Sequence, residues 1–242
     1  MAYISDSKLA AAVSEAGGAG VIAAGGRSAD WLRNEIRAAK KATNKPFGVN
    51  IPLLFGNSQE LFDVIMKEKV PFVTLSAGNP VPYLKKLKEA GIIALCVVPN
   101  LRLAKRIEEH EADALILEGT EAGGHIGTVT TMALLTQIIP EVKIPVIAAG
   151  GIADGRGMAA ALVMGAAGVQ VGTAFILAEE CPVHPNVKQK ILEAKDTDSV
   201  VTGFLAGHAV RGIRNSFTDK YLKLERGGAP VEELDKDRKS VV

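Results

Sequence analysis

Seven short runs of small and β-branched apolar residues punctuate the chain, at residues 20–24, 47–51, 72–75, 92–98, 114–117, 145–149 and 168–171. Little polar alternation interrupts them. Amphipathic stretches lie between them, among them 58–69, 82–90, 102–110 and 157–164. A strand with one wet face alternates polar with apolar residues. Near-continuous apolar strands joined by helices instead predict parallel strands covered on both faces. The unit recurs roughly every 20 to 30 residues, the length of a βα unit. The pattern therefore predicts an α/β fold built from repeated βα units.

One repeat is literal: Val21-Ile-Ala-Ala-Gly-Gly26 returns as Val146-Ile-Ala-Ala-Gly-Gly151, which predicts equivalent places in a repetitive architecture. Glycine and polar residues gather after the strands, at Gly25-Gly26, Asn50, residues 76–79, Asn100, Gly119, Gly150-Gly151 and Gly172-Thr173. That bias predicts a ligand site at the carboxyl ends of the strands, where both (β/α)8 barrels and open doubly wound sheets hold ligands. A closed barrel needs eight strands and seven runs are found. Either the barrel is completed from outside this sequence or the sheet is open. The domain is expected over residues 1–220, with 221–242 a charged C-terminal tail.

With 242 residues the chain can bury a substantial core, and 48% hydrophobic with 23% charged residues is the composition of a globular protein. A formal net charge of +1 gives no global attraction to nucleic acid or to membranes, so neither is expected as a partner. No apolar run approaches the ~20 residues of a membrane span, and the opening residues do not read as a signal peptide. Cys96 and Cys181 lack the number and spacing of a disulfide framework or metal site. A soluble, cytoplasmic protein is expected, with Cys96 in the core.

The residues able to carry chemistry follow the strands. Gly150 and Gly151 lie between a strand and a helix expected near Gly157. Glycine amides and a helix start can hold a phosphate there. Gln170, Gly172 and Thr173 end the next strand and offer a second grip, an arrangement recurrent after the last two strands of barrels. Glycine turns that merely pack closely are the alternative. Neither a GxGxxG dinucleotide signature nor a P-loop is present, so a mononucleotide phosphate such as that of a flavin fits better. In Glu118-Gly-Thr-Glu-Ala-Gly-Gly-His-Ile-Gly127, His125 follows Gly123 and Gly124 in a loop long enough to fold over a ligand. It is either a proton-moving group or a solvated loop histidine. No other histidine has ligand spacing to it, so no metal is expected. Asn50 ends a strand and either presents an amide to the same mouth or caps a turn. Glu118 and Glu121 form either a carboxylate dyad or ordinary exposed acids. Basic clusters at Lys85-Lys86-Lys88, at Arg102, Lys105 and Arg106, and at Arg211 with Arg214 are either solvated faces or steering patches for an acidic carrier protein.

Four segments, EGTEAGGHIG, PVIAAGGIADGRG, GVQVGTAF and KPFGVNI, resemble the nitronate monooxygenase and 2-nitropropane dioxygenase-like family of FMN-dependent TIM barrels. The later HPNVKQKILEAKDTDSVV and GHAVRGIRNSFTDKY look more like the family's flavin-dependent enoyl-acyl carrier protein reductases. The resemblance covers Met1 to about Tyr221. It implies a (β/α)8 TIM barrel lacking its first strand and C-terminal extension, with Met1 at the position of a methionine that touches the flavin. It implies FMN phosphate contacts from Gly150, Gly151, Gly172 and Thr173, with Asn50, Gln170, Gly123 and Gly124 around the flavin and His125 near its reactive face. It further implies NAD(P)H as co-substrate, an enoyl-acyl carrier protein or enoyl thioester as substrate, and a homodimer. In the monooxygenase alternative, the matching histidine acts as base on a nitroalkane.

Overall fold

The computed structural model describes residues 3–238. In chain order the elements are α1 (Ser7–Glu15), β1 (Gly20–Ala23), α2 (Ala29–Ala42), β2 (Phe47–Pro52), α3 (Ser58–Glu68), β3 (Phe72–Ser76), α4 (Val81–Glu89) and β4 (Ile93–Val98). There follow α5 (Leu101–Glu109), β5 (Ala114–Glu118), β6 (Gly124–His125), α6 (Thr131–Ile138), β7 (Val146–Ala149), α7 (Gly155–Val163), β8 (Gly168–Gln170) and α8 (Thr173–Ile176). The chain continues through α9 (Pro185–Glu193), β9 (Ser199–Thr202), β10 (Val210–Ile213), α10 (Ser216–Arg226) and α11 (Val231–Arg238). Each of the seven expected strands appears within one residue of its predicted run.

Seven strands form one sheet in the order β1-β2-β3-β4-β5-β7-β8, all neighbours parallel. The order runs with the chain and never reverses. A doubly wound sheet needs a reversal to send helices to its second face, so this sheet is singly wound, as barrel sheets are. Ile22, Val49, Ile51, Val73, Leu75, Cys96, Val98, Leu115, Leu117 and Ala148 share one face by alternation and register. They pack with Leu32, Ile36, Leu61, Ile65, Leu87, Ile107, Leu134 and Ile138 of the helices in a single buried core. The opposite face is less covered: Asn50, Leu95, Val97, Ile147 and Gln170 are half-buried. Full cover on both faces, expected from the apolar runs, is therefore found on the helix side only. Among the described residues β1 and β8 are the sheet's two edges.

Helix starts follow their caps: Asp6, Ser28, Asn100 and Asn215 each accept a backbone N–H of the first turn. Cys96 is fully buried, and burial pushes its thiol up to about 12. The residues expected as a charged tail from 221 are instead helical in α10 and α11, and α10 runs straight through position 220. The reason is local. Leu224 and Leu234 recur among the charges, and Tyr221, Glu225 and Leu234 are buried, so one face of this segment packs. Met1 and residues 239–242 lie outside the described residues. No described helix is long and apolar enough to cross a membrane.

A second, three-stranded antiparallel sheet in the order β6-β10-β9 carries His125. Its hairpin, β9 to β10, is absent from the sequence-based reading.

Candidate active site

Strand register gathers the predicted residues at one end of the large sheet. Glu118, Ala149 and Gln170 are direct neighbours across β5, β7 and β8, while Ala23, Asn50 and Thr74 are neighbours across β1, β2 and β3. Paired residues on parallel strands point to the same face, so Glu118 and Gln170 share one, as do Asn50 and Thr74. The Asn50 amide nitrogen lies 2.8 Å from Thr74 Oγ1, 3.2 Å from the Thr74 carbonyl oxygen and 3.2 Å from Ser76 Oγ. Asn50 is therefore braced by the next strand, and it does not cap a turn.

Beyond β7 the backbone takes φ 101° at Gly150 and 72° at Gly151, left-handed values that side chains resist. Among the described residues neither amide finds an acceptor. Two consecutive unpaired N–H groups in this conformation suit an anion. The helix start contributes less than expected. Helix α7 begins at Gly155, and Asp154 already accepts the amides of Arg156 at 3.0 Å and Gly157 at 2.9 Å. Those bonds, with the Arg156 guanidinium, hold its carboxyl below the ordinary range. An arriving anion would meet that carboxylate, so the glycine loop, and not the helix terminus, is the part of this segment with amides open to an anion.

The literal repeat behaves differently at its two sites. Gly26, like Gly151, has φ 72°, but a Cβ there would meet Tyr3 Oη at 1.9 Å. Tyr3 fills the first turn, whereas at Gly151 the nearest atom is Glu121 Cβ at 3.1 Å. The second glycine keeps the same φ in both copies, but Gly150 is left-handed where Gly25 is not, and only the first turn is filled by a side chain.

Three loops meet at the glycine turn. A Cβ on Gly150 would lie 3.0 Å from the Ala122 amide, and one on Gly123 would lie 3.9 Å from Thr173 Oγ1. Thr131, which sequence reasoning missed, ties the Gly150 turn to the loop that carries Glu121. Its hydroxyl lies 3.1 Å from Glu121 Oε2, 3.2 Å from the Ala149 carbonyl and 3.0 Å from the Gly150 carbonyl, and donates to one of them at a time. Glu121 also accepts the Thr131 amide at 2.9 Å, so it caps α6 and does not pair with Glu118 as a dyad. The signal was available in the apolar helix that follows Thr130-Thr131, but which carboxylate caps it is a tertiary matter.

His125 is exposed, and β6 pairs it with Val210 of β10. The Ile126 amide donates to the Ala209 carbonyl at 3.0 Å. Arg211 donates through Nε to the Thr120 carbonyl at 2.8 Å and through Nη1 to Ser199 Oγ at 2.8 Å. Arg211 therefore fastens the histidine loop and is not part of a steering patch. In the other basic clusters, Lys88 pairs with Glu111 and Lys105 with Glu141. His184 accepts the Asn186 amide at the start of α9.

Burial pushes the Glu118 carboxyl above its ordinary range. A raised folded-state value penalises the ionised form: the penalty is absent below the unfolded-state value and grows as pH rises through the folded one. In the flavin-free chain, Glu118→Gln is therefore expected to raise the thermal unfolding midpoint at neutral pH, with the gain vanishing below the ordinary carboxyl range. A gain that is constant across pH in melting scans would show that burial of this charge is not its cause.

The nitronate monooxygenase family model matches residues 1–63 and 55–237. Among solved structures, FabK from Thermotoga maritima is 50% identical with a TM-score of 0.91, over 93% of this chain and 72% of that one. Among curated proteins, the (3aS,4S,5R,7aS)-5-hydroxy-7a-methyl-1-oxo-octahydro-1H-indene-4-carboxyl-CoA dehydrogenase of Rhodococcus jostii is 36% identical over 228 residues, 94% of this chain and 64% of the relative. A "probable nitronate monooxygenase" of Staphylococcus aureus is 34% identical over 271 residues, 93% of this chain and 76% of the relative. The chain thus spans just under two thirds of the Rhodococcus protein's length.

Proposed function

The chain belongs to the nitronate monooxygenase family, and from that membership we propose that it is an FMN-dependent oxidoreductase reducing an enoyl thioester, carried on acyl carrier protein, with NAD(P)H. The observation that carries this reading is the 50% identity and 0.91 TM-score with FabK, together with the enoyl reductase-like segments at 184–201 and 207–221. A (β/α)8 barrel, with a further strand between the β8 and β1 edges, is part of the same proposal.

The residues present fit the cofactor. Gly150 and Gly151 offer two unpaired amides in a left-handed turn, and Gly172 and Thr173 follow Gln170, the direct neighbour of Ala149. These four would hold the phosphate. Asn50, Gln170 and the Gly123-Gly124 backbone would line the flavin. FMN, when bound, supplies two-electron transfer between NAD(P)H and the β-carbon of the enoyl group. His125 would then protonate or hydrogen-bond the substrate as charge develops at its α-carbon and carbonyl. Its strand pairing to β10 holds the backbone, and the residue is exposed on the side of solvent and ligand.

The test is the visible spectrum of the protein after incubation with FMN and removal of unbound flavin, followed by NAD(P)H oxidation with an enoyl thioester. Retained flavin and thioester-dependent oxidation are expected. Retained flavin with oxygen uptake driven by a nitronate alone would establish the second reading, a nitronate monooxygenase, which the Staphylococcus aureus relative favours.

A further inference from the structure

Two adjacent apolar side chains, Phe204 and Leu205, stand 64% and 67% exposed in the turn between β9 and β10. Register fixes where that turn lies. Thr202, Val210 and His125 form one row across the small sheet, and the turn leaves from that row and returns to it. The apolar pair therefore flanks the end of the sheet that presents His125.

The turn is built, not slack. Gly203 has φ 73°, and a Cβ there would meet the His208 carbonyl at 2.6 Å. The His208 amide donates to the Gly203 carbonyl at 3.0 Å, and the Gly207 amide to the Phe204 carbonyl at 3.2 Å. Glu225, only 5% exposed, accepts the Leu205 amide at 3.0 Å. Burying a carboxylate is costly, and here it anchors a turn whose two large side chains face water. Their exposure contributes nothing to the fold.

We infer that Phe204 and Leu205 form an apolar clamp for the acyl chain of a thioester substrate, set beside His125. The inference rests on the enoyl-thioester reading and adds a determinant of chain length to it. An unbranched hydrocarbon is the occupant because the pair offers apolar contact beside the reacting end of the site.

The test is calorimetric titration of the FMN-incubated protein with butanoyl- and octanoyl-coenzyme A, saturated thioesters that bind without turning over. Four added methylenes would tighten binding about 200-fold if fully buried, so partial cover on an open turn predicts about tenfold. In the Phe204→Ser, Leu205→Ser double variant the two lengths are expected to bind within about twofold, with an unchanged melting temperature. Both residues are exposed, so folding should survive, and Phe204→Leu should keep most of the length dependence. An unchanged length dependence in the double variant would overturn the clamp, as would equal weakening for both lengths or no binding by the unmodified protein. A shift from dimer to monomer with the length profile intact would mark the pair as a self-association contact and also overturn it. If the length dependence disappears in the variant while enoyl thioesters never drive NAD(P)H oxidation, the clamp stands and the reductase reading falls.

Discussion

Replacing His125 with alanine is expected to lower kcat/KM for an enoyl thioester by about 10²- to 10⁴-fold, the usual contribution of a positioned acid or base, while FMN stays bound. The retention follows from the division of labour proposed for the site. The proposed phosphate grip is the Gly150 and Gly172 turns, and the His125 backbone is held by Val210 and by Arg211 on Thr120, none of which involves the imidazole. Flavin reduction by NAD(P)H should proceed at nearly the original rate, because that half-reaction asks nothing of the group that serves the thioester. Reoxidation by the thioester should slow. Rapid-mixing spectra of the two half-reactions separate these steps. A variant with bound flavin and unaltered reoxidation would remove His125 from the chemistry.

Gly119→Ala is expected to be among the most damaging single-methyl additions near the site. The added Cβ would lie 2.1 Å from Thr131 Oγ1, 2.3 Å from the Thr131 amide nitrogen and 2.6 Å from its Cα. Two of those atoms are backbone at the start of α6, so a rotamer change cannot relieve the clash. Overpacking of this kind costs about 1–3 kcal/mol or more, which in a chain of this size lowers the melting temperature by roughly 2–12 °C. The functional loss should exceed the structural one. Moving Thr131 releases the Gly150 carbonyl and the Glu121 carboxylate together, and so loosens the phosphate turn and the histidine loop at once. FMN affinity is expected to fall by at least about tenfold, measured by flavin titration at a temperature where circular dichroism shows the variant folded. Undiminished affinity in the folded variant would mean that the Thr131 bridge does not shape the grip.

The large sheet was legible because its strands declare themselves locally. Runs such as Ile92 to Val98 are apolar on both faces, β-branched and bounded by turn residues, and no helix of ordinary length could use them. The glycine turns were legible for the same reason: Gly150-Gly151 after a strand needs only backbone chemistry. The small sheet was not legible. β6 is two residues long and β9 and β10 four each, and their pairing joins His125 to Val210 across 85 positions of sequence. The C-terminal segment was misread because its charges outnumber the few residues that pack, and only packing tells Tyr221 and Leu234 from exposed neighbours.

The amino-acid sequence by itself determined the βα repeat, the strands and the turns that can hold an anion, since period, branching and glycine content act within a few residues. Tertiary structure decided the rest. It showed that Tyr3 fills one copy of the repeat. It also made Glu121 a cap, and made Arg211 the fastening of the histidine loop. Each of those outcomes depends on which distant polar group reaches a given amide or carbonyl first, and local sequence does not encode that competition.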